Sequence, residues 1–143
     1  MFIISNLNKK DYHKILKIEK TLFINPMTLT ELSNFSKQEW FYIWKIDIGK
    51  IIGYVSFFKI KDEAEIIKIG IDKFYQRKNY GSQVISEMKR IGIKKIFLEV
   101  SIENVEAINF YLKNGFYKTG IRKEYYKQKD GSRIDALTFS LEL

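Results

Sequence analysis

The chain has no cysteine, one histidine and one proline in 143 residues. Without cysteine there is no disulfide, no thiolate metal site and no cysteine nucleophile. That absence fits a reducing cytoplasmic setting. The lone histidine, His13, leaves a histidine zinc site without partners, and no metal is expected. No G-x-S-x-G elbow accompanies it, so Ser-His-Asp hydrolysis is not indicated. His13 is expected on a helix surface. The single proline, Pro26, argues against long linkers and low-complexity tails. No apolar run approaches the roughly 18 residues that a membrane helix needs. The opening MFIISNLNKK lacks a cationic lead-in, so neither signal peptide nor membrane partner is expected.

What is present points to one folded domain over residues 1–143. Hydrophobic residues make up 45%, with 11 Phe and 9 Tyr, enough for a real core. The formal charge is +8 and it is uneven. From Asp72 to Lys95 there are seven cations and two anions. Such an excess favours an anionic ligand. Nucleic acid, an acidic membrane and a phosphorylated cofactor all satisfy it, and so does a plain solvated helix face.

Hydrophobic spacing and capping residues divide the chain. Residues 2–4 suit a short strand. Asn8 can cap a helix to about Lys20, with Tyr12, Ile15, Leu16 and Glu19 on one face. Thr28 and Glu31 have capping-box spacing for a second helix to about Phe35. Three strands then follow, at 40–46, 51–60 and 65–71, joined by tight turns as a meander. Val84, Ile85, Met88 and Ile91 mark a helix over 80–91, which Gly92 can end. KIFLEV at 95–100 reads as a strand, and Asn104 can cap a helix over 105–113. Two last strands, 116–127 and 133–141, flank the hairpin signal Asp130-Gly131. The order is β-α-α-β-β-β-α-β-α-β-β. The fold class is α/β (α+β), with a mixed, mostly antiparallel sheet of about seven strands and four helices. Only the unit at 65–100 implies a parallel pair.

Between strand 65–71 and helix 80–91 lies Gln76-Arg77-Lys78-Asn79-Tyr80-Gly81-Ser82. A strand, a short basic loop and a helix start can hold phosphate, because orphan N–H groups and the helix dipole favour an anion. Gly81 would let a ligand approach the backbone. There is no G-x-x-x-x-G-K-[ST], so a P-loop is not indicated.

The segments DEAEIIKIGID, YQRKNYGS, LEVSIENVEAINFYLKNGF and IRKEYYKQKDG, in this element order, resemble the GNAT superfamily of acyl-CoA N-acyltransferases. Within it they are similar to the bacterial ribosomal-protein-alanine N-acetyltransferase branch. The resemblance implies acetyl-CoA as cosubstrate and a protein or peptide N-terminus, such as that of a ribosomal protein, as acceptor. It assigns the pyrophosphate signature to Gln76, Asn79 and Gly81, with Arg77, Lys78, Tyr80 and Ser82 beside them. Asn79 replaces the first glycine of that signature. It either supplies φ > 0, for which Asn is the best non-Gly residue, or it must turn its side chain from the pyrophosphate. The backbone of Ile69, Gly70 and Ile71 is implied to hold the acyl group and pantetheine arm. Asn104 matches a position that contacts CoA.

The same resemblance makes Glu99 the base and Tyr111 the acid. From pattern alone Glu99 would be a solvent-facing strand residue sharing its face with Phe97. Tyr111 would be a core aromatic beside Ile108 and Leu112. Gly70 alone reads as a β-bulge or close backbone approach, and Asn104 as a helix cap. Tyr125 and Tyr126 border the implied acceptor groove, or simply pack. A free α-amine, with pKa near 7.7–8.0, needs less help losing its proton than a lysine amine near 10.4. A lysine or small-amine acceptor, a CoA sensor without turnover, and a basic RNA- or ribosome-binding module are the alternatives. No nucleic-acid motif is visible, and the cations cluster at one loop-helix, so direct nucleic-acid contact is not expected. A monomer or weak dimer is expected.

Overall fold

The computed structural model describes residues 2–143. Its strands are β1 (Ile3–Asn6), β2 (Phe41–Asp47), β3 (Ile51–Ile60), β4 (Glu63–Ile71), β5 (Lys95–Ser101), β6 (Tyr117–Lys127) and β7 (Arg133–Glu142). The helices are α1 (Tyr12–Leu22), α2 (Leu29–Ser36), α3 (Tyr80–Arg90) and α4 (Val105–Lys113). All seven strands form one sheet in the order β1-β2-β3-β4-β5-β7-β6. Every pair is antiparallel except β4–β5, which α3 joins by a crossover. The sequence-based order and fold class agree with this architecture.

Local chemistry sets the element ends. Thr28 and Glu31 form the capping box of α2: the Glu31 N–H donates to Thr28 Oγ1 at 3.2 Å, and the Thr28 N–H to Glu31 Oε1 at 3.4 Å. Asn104 Oδ1 accepts from the Ala107 N–H at 3.2 Å at the start of α4. Gly92 and Gly115, at φ +93° and +90°, follow α3 and α4 in the left-handed region that ends a helix. Asn8 is the N-cap of a 3-10 turn, Lys9–Asp11, that runs directly into α1 at Tyr12, with the Asn8 N–H donating to Asp11 Oδ2 at 3.3 Å. Leu112 departs from expectation: it is exposed, leaving Tyr111 as the buried residue of α4.

Two apolar layers sandwich the sheet. On one face, Val84, Ile85 and Met88 of α3 and Tyr111 of α4 pack with Ile66, Leu98 and Val100. On the other, Ile15 of α1 and Leu32 of α2 pack with Ile43 and Tyr54. Burying each such side chain contributes roughly 1.5–3 kcal/mol. Two acids, Asp11 just before α1 and Glu19 within it, turn inward with them. Asp11 is 5% exposed and meets Lys45 Nζ of β2 at 2.8 Å. This hydrogen bond holds the Asp11 carboxyl below its usual pKa. Glu19 is fully buried, accepting from the Tyr54 hydroxyl and from Lys68 Nζ at 3.0 Å. Burial, then Glu19, drives the Tyr54 phenol pKa well up.

The β4–β5 ladder creates the opening in this sheet. The strands pair only from Glu63–Lys95 to Ile66–Leu98, though β4 runs on to Ile71 and β5 to Ser101. The β3–β4 register passes from Phe57–Ile66 to Ser56–Lys68 and leaves Ile67 unpaired. A bulge bends its strand, and this one sits where β4 parts from β5. Gly70 is therefore not the bulge. It stays in register opposite Tyr54, and a Cβ there would lie 2.8 Å from Tyr54 Cε1 and 3.3 Å from Leu22 Cδ1. Only glycine fits beneath that ring.

Candidate active site

The loop after β4 leads straight into the start of α3. Gln76 Nε2 donates to the Ile71 carbonyl at 2.8 Å, pinning the loop to the end of the strand. Arg77 and Asn79 both take positive φ, +61° and +69°. Asn79 is the N-cap of α3, with ψ 11° and no side-chain cap hydrogen bond. Asn79 thus supplies the backbone angle, while its amide leaves the first-turn N–H groups without a side-chain acceptor. Arg77 lies 3.7 Å from Glu106 of α4, with both side chains exposed. Lys78 sits over the Tyr75 ring at 5.7 Å. Tyr80 stacks on Phe2 with ring centroids 5.4 Å apart. Ser82 is half-buried in the first turn of α3.

Gly81 also meets a packing requirement that the sequence did not show. A Cβ on Gly81 would lie 2.6 Å from Cε1 of Phe110. The glycine lets α3 and α4 approach through that ring, and this closeness puts both helix starts beside the loop.

Glu99 and Tyr111 come from opposite faces of the sheet. Leu98 and Val100 face α3 and α4, so strand alternation turns Glu99 to the α1–α2 face. There Glu99 lines a hollow of about 330 Å³ with Glu65, Phe97, Thr138 and Arg122. Its side chain is 19% exposed and pairs with Arg122 Nε at 3.0 Å. It is neither free in water nor sealed in the core. Burial, then the Glu99 charge, raises the Glu65 carboxyl above its ordinary pKa. The hydrogen-bonding reach of Glu99 raises the exposed Tyr125 phenol, whose ring lies 5.4 Å from the Arg122 guanidinium.

Tyr111 is 8% exposed and ringed by Phe110, Phe116 and Phe139. Burial, with Tyr126 adding to it, drives its phenol pKa up, so the hydroxyl stays protonated. Among the described residues Ser56 Oγ is the one fully buried side-chain polar atom without a partner. Tyr126 is likewise pushed up to about 12, by burial and then by Glu99. The Glu99 charge thus contributes to the raised Tyr126 pKa, and Tyr126 to that of Tyr111. The opening is bounded on its β4 side by Ile69, Gly70 and Ile71.

Glu65 and Arg122 escaped the sequence analysis. Strand alternation makes each an ordinary surface charge. Only the β4–β5, β5–β7 and β6–β7 pairings bring them to Glu99. Asn104 serves as the cap of α4, and Arg77 reaches toward that helix start.

Comparison with known proteins agrees with this geometry. The acetyltransferase (GNAT) family matches residues 9–116. A Haemophilus influenzae [ribosomal protein bS18]-alanine N-acetyltransferase is 29% identical over 147 aligned positions, covering 100% of both chains. The crystal structure of the Escherichia coli ribosomal-protein-S18-alanine N-acetyltransferase superposes with a TM-score of 0.84 at 28% identity, covering 99% of this chain and 94% of that one. Ard1 from Thermoplasma volcanium gives 0.80 at 26% identity, covering 99% and 97%. Among the described residues no helix is long and apolar enough to cross a membrane, and no cluster of His, Cys, Asp or Glu could hold a metal. The chain belongs to the acetyltransferase (GNAT) family and is an N-acetyltransferase that uses acetyl-CoA as its cosubstrate.

Proposed function

We propose that this enzyme acetylates the free N-terminal α-amine of a cytoplasmic ribosomal protein that begins with alanine. One observation carries the reading: a slot between β4 and β5 has Glu99 on one face of the sheet and Tyr111 on the other. The names of its relatives supply the acceptor class.

In this reading the α3 N-terminus takes the pyrophosphate, with Gln76 bracing the loop and Arg77 and Lys78 adding charge. The pantetheine arm runs along Ile69, Gly70 and Ile71. The acceptor enters from the hollow around Glu99. Its nitrogen forms the new C–N bond as the thioester C–S bond breaks. The amine proton passes to Glu99, directly or through water. Tyr111 donates its hydroxyl proton toward the departing sulfur, and its raised pKa keeps that donor in place. No enzyme-bound acyl intermediate is needed.

The test uses acetyl-CoA with three peptides: Ala-initiated, the same peptide Nα-blocked, and the blocked peptide with an added lysine. Thiol release and peptide mass are followed together. Acetylation of the free Ala terminus alone is expected. Transfer to lysine with the terminus ignored would overturn the acceptor. CoA binding without any turnover would make the protein a sensor.

A further inference from the structure

The outward face of α1 and its leading turn carries Lys9, Lys10, His13, Lys14, Lys17 and Lys20, all exposed. From Lys9 to Leu22 the only acids are Asp11 and Glu19. Both point inward, 5% and 0% exposed, and both are neutralised by sheet lysines, Lys45 and Lys68. Among the described residues none of the five α1-face lysines has a carboxylate within ion-pair distance, although the chain has 17 acids. Ordinary surfaces intersperse the two signs. This face separates them, hiding every acid on the opposite side of the helix.

Lys10, Lys14 and Lys17 recur at spacings of four and three, so they stack on one side. From Lys10 to Lys20 the row is about 15 Å long. At its N-terminal end it meets a hollow of about 360 Å³ formed with the β2–β3 turn and lined also by Lys45 and Lys50. The acids there are committed: Asp11 to Lys45, and Asp47 Oδ1 to the Gly49 N–H at 2.8 Å. Lys50 and Lys78 both lie over the Tyr75 ring, at 5.1 and 5.7 Å. The cationic band therefore continues to the loop before α3.

We propose that this band docks the phosphate backbone of RNA. The row contains no exposed large apolar residue between Lys9 and Leu22. A membrane-surface helix inserts an apolar face, and a protein interface buries an apolar centre. Neither is available here. Flexible lysines in a line suit evenly spaced phosphates, whose contacts give affinity without sequence readout. α1 packs on the same side of the sheet that Glu99 faces, while its lysines point outward from it. The sequence alone placed the basic excess at residues 72–95; it kept an RNA-binding module as an alternative but did not lead to an expectation of direct nucleic-acid contact. The α1 array emerges only when its acids fold inward. The contact is independent of which amine is acetylated.

The test measures binding of the full chain to a structureless single-stranded RNA of mixed sequence by fluorescence anisotropy, over a series of salt concentrations. With five lysines engaged, the slope of log K against log salt is expected near −3.5, from about −0.7 per single-strand contact. The triple variant Lys10→Glu, Lys14→Glu, Lys17→Glu should lose at least tenfold in affinity and flatten the slope by about 2. Its glutamine counterpart should lose affinity in the same direction, and both should acetylate peptide within twofold of the parent. A control triple, Lys37→Glu, Lys61→Glu, Lys89→Glu, changes the net charge equally elsewhere and should retain most of the affinity. Equal losses in both triples would reduce the effect to net charge and overturn the proposal. So would unchanged affinity in the α1 variants, or equally tight binding of polyglutamate.

Discussion

The Arg122 guanidinium, on β6, pairs with the Glu99 carboxylate, on β5, at 3.0 Å by reaching across β7. The pair ties the reactive strand to the outer hairpin and aims one carboxylate oxygen. Substituting Glu99 by glutamine is expected to lower kcat by about 10²-fold or more, the general-base range. Substituting Arg122 by glutamine should cost less than tenfold and leave the KM for acetyl-CoA unchanged. Arg122 is 58% exposed, so melting should show little loss of stability. A collapse of both variants to the same residual rate would make Arg122 an equal partner in the chemistry.

Tyr111 packs through its ring, while its hydroxyl serves no hydrogen bond that holds the fold. Tyr111→Phe should therefore keep the melting temperature close to the parent and lower kcat by about 10²-fold. Near-normal turnover would remove it from the acid role.

Asn79 already has the left-handed geometry that glycine would provide, at φ +69°. Asn79→Gly should alter acetyl-CoA affinity by less than tenfold, or about 1.4 kcal/mol. A larger gain would mean that the Asn79 side chain obstructs the cradle. Asn79→Val should weaken binding, because a β-branched residue is strained at positive φ by about 1–3 kcal/mol. Calorimetric titration with acetyl-CoA reads both.

Gly81 and Phe110 are coupled by close approach, a Cβ at 2.6 Å from the ring edge. Gly81→Ala should destabilise by about 1–3 kcal/mol through overpacking. Adding Phe110→Leu should recover part of the loss, and a double-mutant cycle in urea measures the coupling. Additive losses would show that the contact is not what requires glycine.

The elements were largely legible because their signals are local. Capping pairs such as Thr28–Glu31, helical spacing in α3 and the Asp130-Gly131 turn act over a few residues. The misreadings were of two kinds. Leu112 was misplaced on the buried face, since the rotation of a helix depends on its packing partners. At Gly70 the bulge reading fails and close approach holds, and at Gly81 the sequence did not show the packing requirement. A glycine in sequence announces that something comes near, and only the fold shows that it is Tyr54 in one case and Phe110 in the other.

The sequence by itself determined the order of elements and the family. Periodicity, caps and motif spacing are written along the chain. Tertiary structure alone decided the company that each charge keeps. It brought Glu65 and Arg122 to Glu99, stopped the β4–β5 ladder after Ile66, and hid Asp11 and Glu19 beneath α1. Those outcomes depend on pairing between distant strands and on the cost of burying an uncompensated charge, and neither is encoded in any local stretch of residues.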